Sequence, residues 1–225
     1  MKKLMLIVLL CGVVLVMGSE ENSKEVEVSE VKKKILYYVT SNPSKFKLFA
    51  QFLPTNASFS LERIDADLFE EQTEDQEKIA ISKAKQAWQQ IGKPLLVDEY
   101  GVCFTKYKEF PGTFTKFAYK GLGYEGICRL LDDGDELSVV VTIVLIYGPD
   151  AYKLFKISKV GTFRKVYNPD LFFLFDSTFV PQGLHKTYVE LKEQDPELFK
   201  EHYYRALAAK EVSKFVSEND IFKVA

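Results

Sequence analysis

Five places in this 225-residue chain carry side chains whose type and spacing could do chemistry. The first is Thr40-Ser41-Asn42-Pro43-Ser44-Lys45, where hydroxyls, an amide and an ammonium crowd the start of a helix. A helix N-terminus presents unpaired backbone N–H groups, so Thr40, Asn42 and Lys45 together suit a phosphate. The same residue types also cap helices purely for stability. The second is Asp98-Glu99, adjacent carboxylates closing a short apolar run. With Glu71 from an acidic stretch they could hold Mg²⁺, which takes one or two carboxylates and completes its shell with substrate phosphates. Most of that stretch (Asp65, Asp67, Glu70, Glu71, Glu74, Asp75) reads equally as solvated surface. Third, Lys83 lies one step off a helix's apolar stripe, where it could reach across a cleft edge or simply sit on the surface. Fourth, Phe173 and Phe175 flank Leu174 beside Asp176 and could sandwich a base, a contact worth about 1–3 kcal/mol per base; the plain alternative is core packing. Last, His202 stands alone near the C-terminus, where a structural role is the simpler reading.

The elements that must position these residues follow from periodicity. Ile35–Thr40 is β-branched and aromatic, hence a strand, and Pro43 sits where a helix tolerates proline, at its first position. Phe46, Phe49, Ala50 and Leu53 then repeat with helical spacing. Ser58–Ile64 is a second strand. A helix follows the acidic stretch to about Ile91, with Ala80, Ala84, Ala87, Trp88 and Ile91 on one stripe. Leu95–Val97 is a third strand that runs into Asp98-Glu99, placing the carboxylates at its end. There a bend is needed for both to face one ligand, because strand neighbours point to opposite faces. Thr113–Leu131 reads as a helix broken near Gly121-Leu122-Gly123. Glu136–Tyr147 and Tyr152–Val166 flank Gly148-Pro149-Asp150 as a long hairpin. One final helix opens at Asp195-Pro196 and reaches about Val216. This order predicts an α/β fold: a mixed, twisted central sheet with helices on its faces, a long β-hairpin lobe and a cleft between lobes.

Composition narrows the function classes. Lys and Arg total 30 against 32 for Asp and Glu, so no basic excess points to nucleic acid as a partner. Two His and three Cys are too few for a Ser/His/Asp or Cys/His centre, a zinc site or a disulfide framework. There is no G-x-G-x-x-G and no Walker loop. Residues 1–19 open with Met1-Lys2-Lys3 and an apolar run from Leu4 to Met17, which describes a signal peptide. A membrane anchor is the second reading, since the run falls short of the roughly 20 residues that span a bilayer. A start at Met17 is the third. Leu10 before Cys11 argues against lipidation. Residues 20–33 form a charged linker, and any membrane contact is expected only through the N-terminal segment.

Read in order, these features resemble one family. ILYYVTSNPSKFKLFAQFL resembles the strand, T/S-x-N-x-x-K loop and first helix of the inosine/xanthosine triphosphate pyrophosphatases, the Ham-type enzymes for non-canonical purine nucleotides. EEQTEDQEKIAISKAKQA is similar to their acidic loop and lysine-bearing helix, and PLLVDEYGVCF to their acidic pair. FPGTFTKF, FFLFDSTFVPQGLHKTYVEL and EHYYRALAA resemble their Pro-Gly turn, base-binding segment and closing motif. The resemblance runs from about Ile35 to Phe215 and makes residues 34–220 a nucleotide pyrophosphatase-like domain. It implies Mg²⁺-dependent hydrolysis of a purine nucleoside triphosphate to monophosphate and pyrophosphate. By position, Thr40, Asn42, Lys45 and Lys83 would hold the triphosphate, and Glu71 and Glu99 the metal. Glu99, with Asp98, would orient or deprotonate the water; Phe173 would stack on the purine; Asp176 and His202 would meet its edge. A homodimer is implied as well. The family resemblance suggests a cytoplasmic protein, whereas residues 1–19 suggest an exported or anchored one.

The chain also departs from the family pattern. Its acidic pair is inverted to Asp-Glu, so the base is longer by one methylene, and a displacement of that order costs about a hundredfold in rate. Tyr100 replaces a small hydroxyl residue, Leu174 a glycine, Glu201 a serine and Tyr203 an arginine. Arg205 is not expected to substitute, because two positions along a continuous helix turn it about 200° away. A lysine of the family aligns with Glu197, with Lys192 and Lys200 nearby. Two functions therefore stand: a divergent triphosphate pyrophosphohydrolase, or a nucleotide-binding or interaction protein that keeps the fold without the chemistry.

Overall fold

In a computed structural model, residues 34–167 and 174–223 are described, together with two short antiparallel strands, Leu9–Leu10 and Val13–Val14. Residues 1–33 and 34–225 are separate units. The strands of the second unit are β1 (Lys34–Val39), β2 (Phe59–Ile64), β3 (Leu95–Phe104), β4 (Pro111–Gly112), β5 (Glu136–Ile146), β6 (Tyr152–Phe163) and β7 (Phe179–Pro181). Its helices are α1 (Pro43–Ala50), α2 (Gln76–Ile91), α3 (Thr115–Leu130), α4 (Leu174–Thr178), α5 (Tyr188–Gln194), α6 (Pro196–His202) and α7 (Tyr204–Glu218). The seven strands form one sheet in the order β2-β1-β3-β5-β6-β7, with β4 paired to β3. β1 runs parallel to β2 and β3; the other pairs are antiparallel. This is the mixed α/β sheet with helices and a long hairpin, β5–β6, that the sequence predicts.

Strand alternation divides the core in two. Leu36, Tyr38, Leu96 and Val102 point to the face covered by α1 and α7, while Val39, Leu95 and Val97 point to the face covered by α2. On the second face Ala80, Ala84 and Ala87 are fully buried, and such small side chains let α2 lie close against the sheet. On the first, Phe49 of α1 and Ala208, Ala209 and Val212 of α7 share a cluster with the strands.

Three elements differ from the sequence expectation. β3 does not end at Val97: it continues to Phe104, paired with β5 at all of its positions, so Asp98 and Glu99 are mid-strand and no bend is involved. The expected single C-terminal helix is two, because Tyr203 adopts extended backbone (φ −71°, ψ 122°) between α6 and α7. No glycine or proline marks that break. Tyr203 is held there by its ring, buried against Phe199 at 4.5 Å and Tyr188 at 5.1 Å, and by its hydroxyl, which donates to Asp176 at 2.8 Å. The segment that carries Phe175 and Asp176, to which the periodicity assigns no element, is a short helix, Leu174–Thr178. By contrast α3 breaks where expected, at Gly123, whose φ of 62° suits glycine.

Candidate active site

The cleft arises where the sheet opens. β1 pairs with β3 only at Leu95 and Leu96, and β4 pairs only at Val102 and Cys103. Among the described strands, none pairs that edge between Val97 and Gly101. A cavity of about 340 Å³ lies there. Because Asp98 continues the Leu36–Leu96 face and Glu99 the Val97 face, adjacent carboxylates reach opposite helices while both line the opening.

At one end, Asn42 caps α1: its Oδ1 accepts from the Ser44 N–H at 2.9 Å, and the Thr40 hydroxyl accepts from the Asn42 N–H at 3.1 Å. Lys45 follows in the first turn and donates to the Asp98 backbone carbonyl at 3.3 Å, with Asp98 Oδ1 also at 3.3 Å. Thr40, Asn42 and Lys45 all line the cavity. Lys83, 9% exposed, reaches from α2 to Glu99 at 2.5 Å and Glu70 at 2.7 Å. Burial works against the Lys83 charge, but Glu99 and Glu70 outweigh it and raise its pKa. Burial raises Glu99 against the opposing pull of Lys45 and Lys83. In Glu70, burial is outweighed by Lys83, Lys45 and Lys116, and its pKa falls.

Asp98 is 2% exposed and pairs with Arg205 of α7 at 3.0 Å. Burial pushes Asp98 up, yet Lys45 and Arg205 prevail and hold it at about 2. At the far end Asp176 accepts hydrogen bonds from the hydroxyls of Tyr203, at 2.8 Å, and Tyr204, at 3.1 Å. There burial dominates and lifts its pKa to about 6.

The structure thus brings Thr40, Asn42, Lys45, Lys83, Asp98, Glu99 and Asp176 to one cavity. Two other candidates lie elsewhere. Glu71 turns to Lys78 of α2, at 3.0 Å, and is not among the cleft residues; its neighbour Glu70 stands at Lys83 instead. His202, the last residue of α6, is also absent from the lining, and its backbone carbonyl accepts from the Tyr188 hydroxyl at 3.0 Å. Phe173 lies outside the described residues. Its partner in the expected sandwich, Phe175, is buried beside Phe104 at 6.1 Å.

Three cleft residues escape the sequence reading. Arg205 is set aside there on the premise of a continuous helix, which the break at Tyr203 removes. Glu70 carries no signal of its own, since the register of an acidic loop is invisible in its composition. Lys116 does carry one: it follows the Pro-Gly turn at the start of α3. That start is placed by Gly101, where a Cβ would stand 2.7 Å from the Gly112 carbonyl oxygen. Thr115 then ties helix to strand, accepting from the Val102 N–H at 2.8 Å and donating to the Gly112 carbonyl at 2.6 Å.

Glu70 and Glu99 converge on one ammonium, so two carboxylate oxygens already address a single cationic point. Among the described residues no group of three or more His, Cys, Asp or Glu could hold a metal ion. Two carboxylates are the number Mg²⁺ takes where substrate phosphates complete its shell, so Glu70 and Glu99 are the residues that could hold it.

A mixed α/β sheet opening onto a cleft with a helix N-terminus, several cations and paired carboxylates defines a phosphate-handling class of protein. Sequence comparison then specifies it: the model of the Ham1 family matches residues 36–215, and the chain belongs to that family. It is similar to the dITP/XTP pyrophosphatase of Ignicoccus hospitalis, 31% identical over 193 residues, covering 83% of this chain and 98% of that one. The dITP/XTP pyrophosphatase of Saccharolobus solfataricus is 28% identical over 171 residues, covering 76% and 88%. Among solved structures, a HAM1 protein from Coxiella burnetii shares the fold with a TM-score of 0.66 at 21% identity, covering 83% of this chain and 100% of that one.

Proposed function

We propose that this protein is a Mg²⁺-dependent nucleoside triphosphate pyrophosphohydrolase acting on non-canonical purine nucleotides of the dITP/XTP kind. The observation that carries the reading is the convergence of Glu70 and Glu99 on Lys83 beside the Lys45-bearing N-terminus of α1. The dITP/XTP pyrophosphatases it resembles support the substrate class.

In this reading the α1 N–H groups, Thr40, Lys45, Lys83 and Lys116 receive the phosphate oxygens and offset their charge as it builds on the leaving group. Glu70 and Glu99 would hold Mg²⁺, which supplies charge neutralisation and polarises the phosphoryl group. Glu99, with its pKa raised by burial, takes a proton from water as the water oxygen bonds to the α-phosphorus. The bond from that phosphorus to the bridging oxygen breaks, and pyrophosphate departs with the electron pair. Asp176, Tyr204 and, by resemblance, Phe173 would face the base. A homodimer is part of the same proposal, and sedimentation velocity reads it directly.

One observation favours the second reading, a nucleotide-binding protein without chemistry. Glu99 is held by Lys83, so a metal or substrate must draw Lys83 away before Glu99 can act. The deciding experiment measures pyrophosphate release by residues 20–225 with Mg²⁺, using inosine, xanthosine and the four standard triphosphates. Turnover preferring inosine or xanthosine is expected. A folded sample that binds these nucleotides without releasing pyrophosphate would establish the second reading instead.

A further inference from the structure

Arg205 has no part in the mechanism above, yet it is 4% exposed and lies against the cleft. Its Nη1 donates to Asp98 Oδ2 at 3.0 Å, and its guanidinium lies over the rings of Tyr204, at 5.5 Å, and Tyr100, at 5.8 Å. Asp98 is itself buried, and its other oxygen stands 3.3 Å from Lys45 Nζ. A row of charges therefore crosses from α7 through β3 to α1, and Lys45, with 24% of its side chain exposed, is its most open member. The planar guanidinium, lodged against two rings, gives Asp98 a rigid partner on one oxygen and leaves the other directed at α1. Lys45 has no such rigidity, since its ammonium rides on a flexible four-carbon stem. Asp98 holds it at the cleft wall in two ways: its backbone carbonyl accepts the Lys45 hydrogen bond, and its Oδ1 forms the ion pair.

We propose that Arg205 is a positioning residue for the phosphate end of the cleft: acting through Asp98, it sets where the Lys45 ammonium stands and takes no phosphate itself. The proposal rests on the phosphate role given to Lys45 above. It also assigns the arginine of the closing segment to the phosphate side of the cleft, not to the base.

The test is a double-mutant cycle on Arg205→Met and Lys45→Met. Inorganic tripolyphosphate is the calorimetric titrant, and KM and kcat come from pyrophosphate release. Each single variant is expected to weaken tripolyphosphate about tenfold, with KM moving more than kcat, and the second substitution to add less than about twofold. Factors that multiply would overturn the proposal, since they mean that Arg205 contacts the ligand directly or acts only on stability. Because Arg205→Met leaves Asp98 buried with Lys45 as its remaining ion-pair partner, two further variants accompany it. Arg205→Lys should bind within about threefold of wild type, and Arg205→Met with Asp98→Asn should match Lys45→Met.

A readout without substrate separates this inference from the phosphate reading. The acetylation rate of Lys45 by acetic anhydride, followed by peptide mass spectrometry against Lys78 and Lys153, should rise several-fold in Arg205→Met. An unchanged Lys45 rate overturns the positioning role whether or not tripolyphosphate binds. A wild-type protein that ignores tripolyphosphate overturns the phosphate reading, while the acetylation rates still judge the hold of Arg205 on Lys45.

Discussion

At the α1 end of the cleft, Thr40, Asn42 and Lys45 come from six consecutive residues, and the two hydrogen bonds that shape the turn join residues two apart. At the Asp176 end, α4, α6 and α7 meet across sequence separations of 27 and 28 residues, through the hydroxyls of Tyr203 and Tyr204. The first end is polar, cationic and set by local backbone geometry. The second is aromatic and largely buried, and is set by packing among Tyr100, Tyr188, Tyr203 and Tyr204. By resemblance, the turn at Thr40, Asn42 and Lys45 keeps the family pattern, while the inverted pair Asp98-Glu99 beside it and Tyr100, Leu174 and Tyr203 toward the other end depart from it. A site made of a local turn survives changes elsewhere in the chain, because few partners can shift it. A site made of long-range contacts alters whenever any partner changes size.

The largest expected effect breaks the phosphate end alone. Glu99→Gln should lower pyrophosphate release on the order of 10²–10⁴-fold while nucleotide binding persists. Unchanged turnover would remove Glu99 from the mechanism and weaken the contrast between the ends. Next comes the ion pair that joins them. Arg205→Met leaves Asp98 a buried charge with one partner fewer and should cost about 3–5 kcal/mol of stability in denaturant titration. Adding Asp98→Asn should return part of that loss.

The third prediction probes the far end through pH. The pKa of Asp176 is raised from 3.8 to about 6 in the fold, so between those values the folded state holds a proton that the unfolded state has released. Its contribution to stability is therefore fully present below pH 3.8 and is lost as pH rises through about 6. Asp98 acts oppositely: its pKa of about 2 makes its contribution fall away as pH drops below 3.8. Asp176→Asn should remove the decline between about pH 4 and 6 and leave the acid limb in place; a profile identical to wild type would refute this assignment. The smallest effect is Tyr203→Phe, which deletes one hydroxyl donor to Asp176 while keeping the ring. It should cost about 1–3 kcal/mol in thermal or chemical unfolding, with turnover little changed.

Much of this molecule is legible from periodicity and residue type. The strand–turn–helix at residues 34–50, the alanine stripe of α2, the break of α3 at Gly123 and the β5–β6 hairpin all arise from short-range rules of spacing, capping and backbone freedom. The capping box at Thr187 and Glu190 marks the start of α5, a helix that the periodicity reading, which opens its last helix at Asp195-Pro196, leaves unassigned. What only the tertiary structure decided were the contacts between distant segments. The opening of the sheet beside β3 allows two adjacent carboxylates to share one cleft. The docking of a tyrosine splits a continuous helical pattern at Tyr203 and turns Arg205 inward. The register of an acidic loop puts Glu70, not Glu71, at Lys83. Each depends on which surfaces are left to pack once the local elements exist, and that is a property of the assembled chain. A turn carries its own geometry in its residues; a contact needs both of its partners in place.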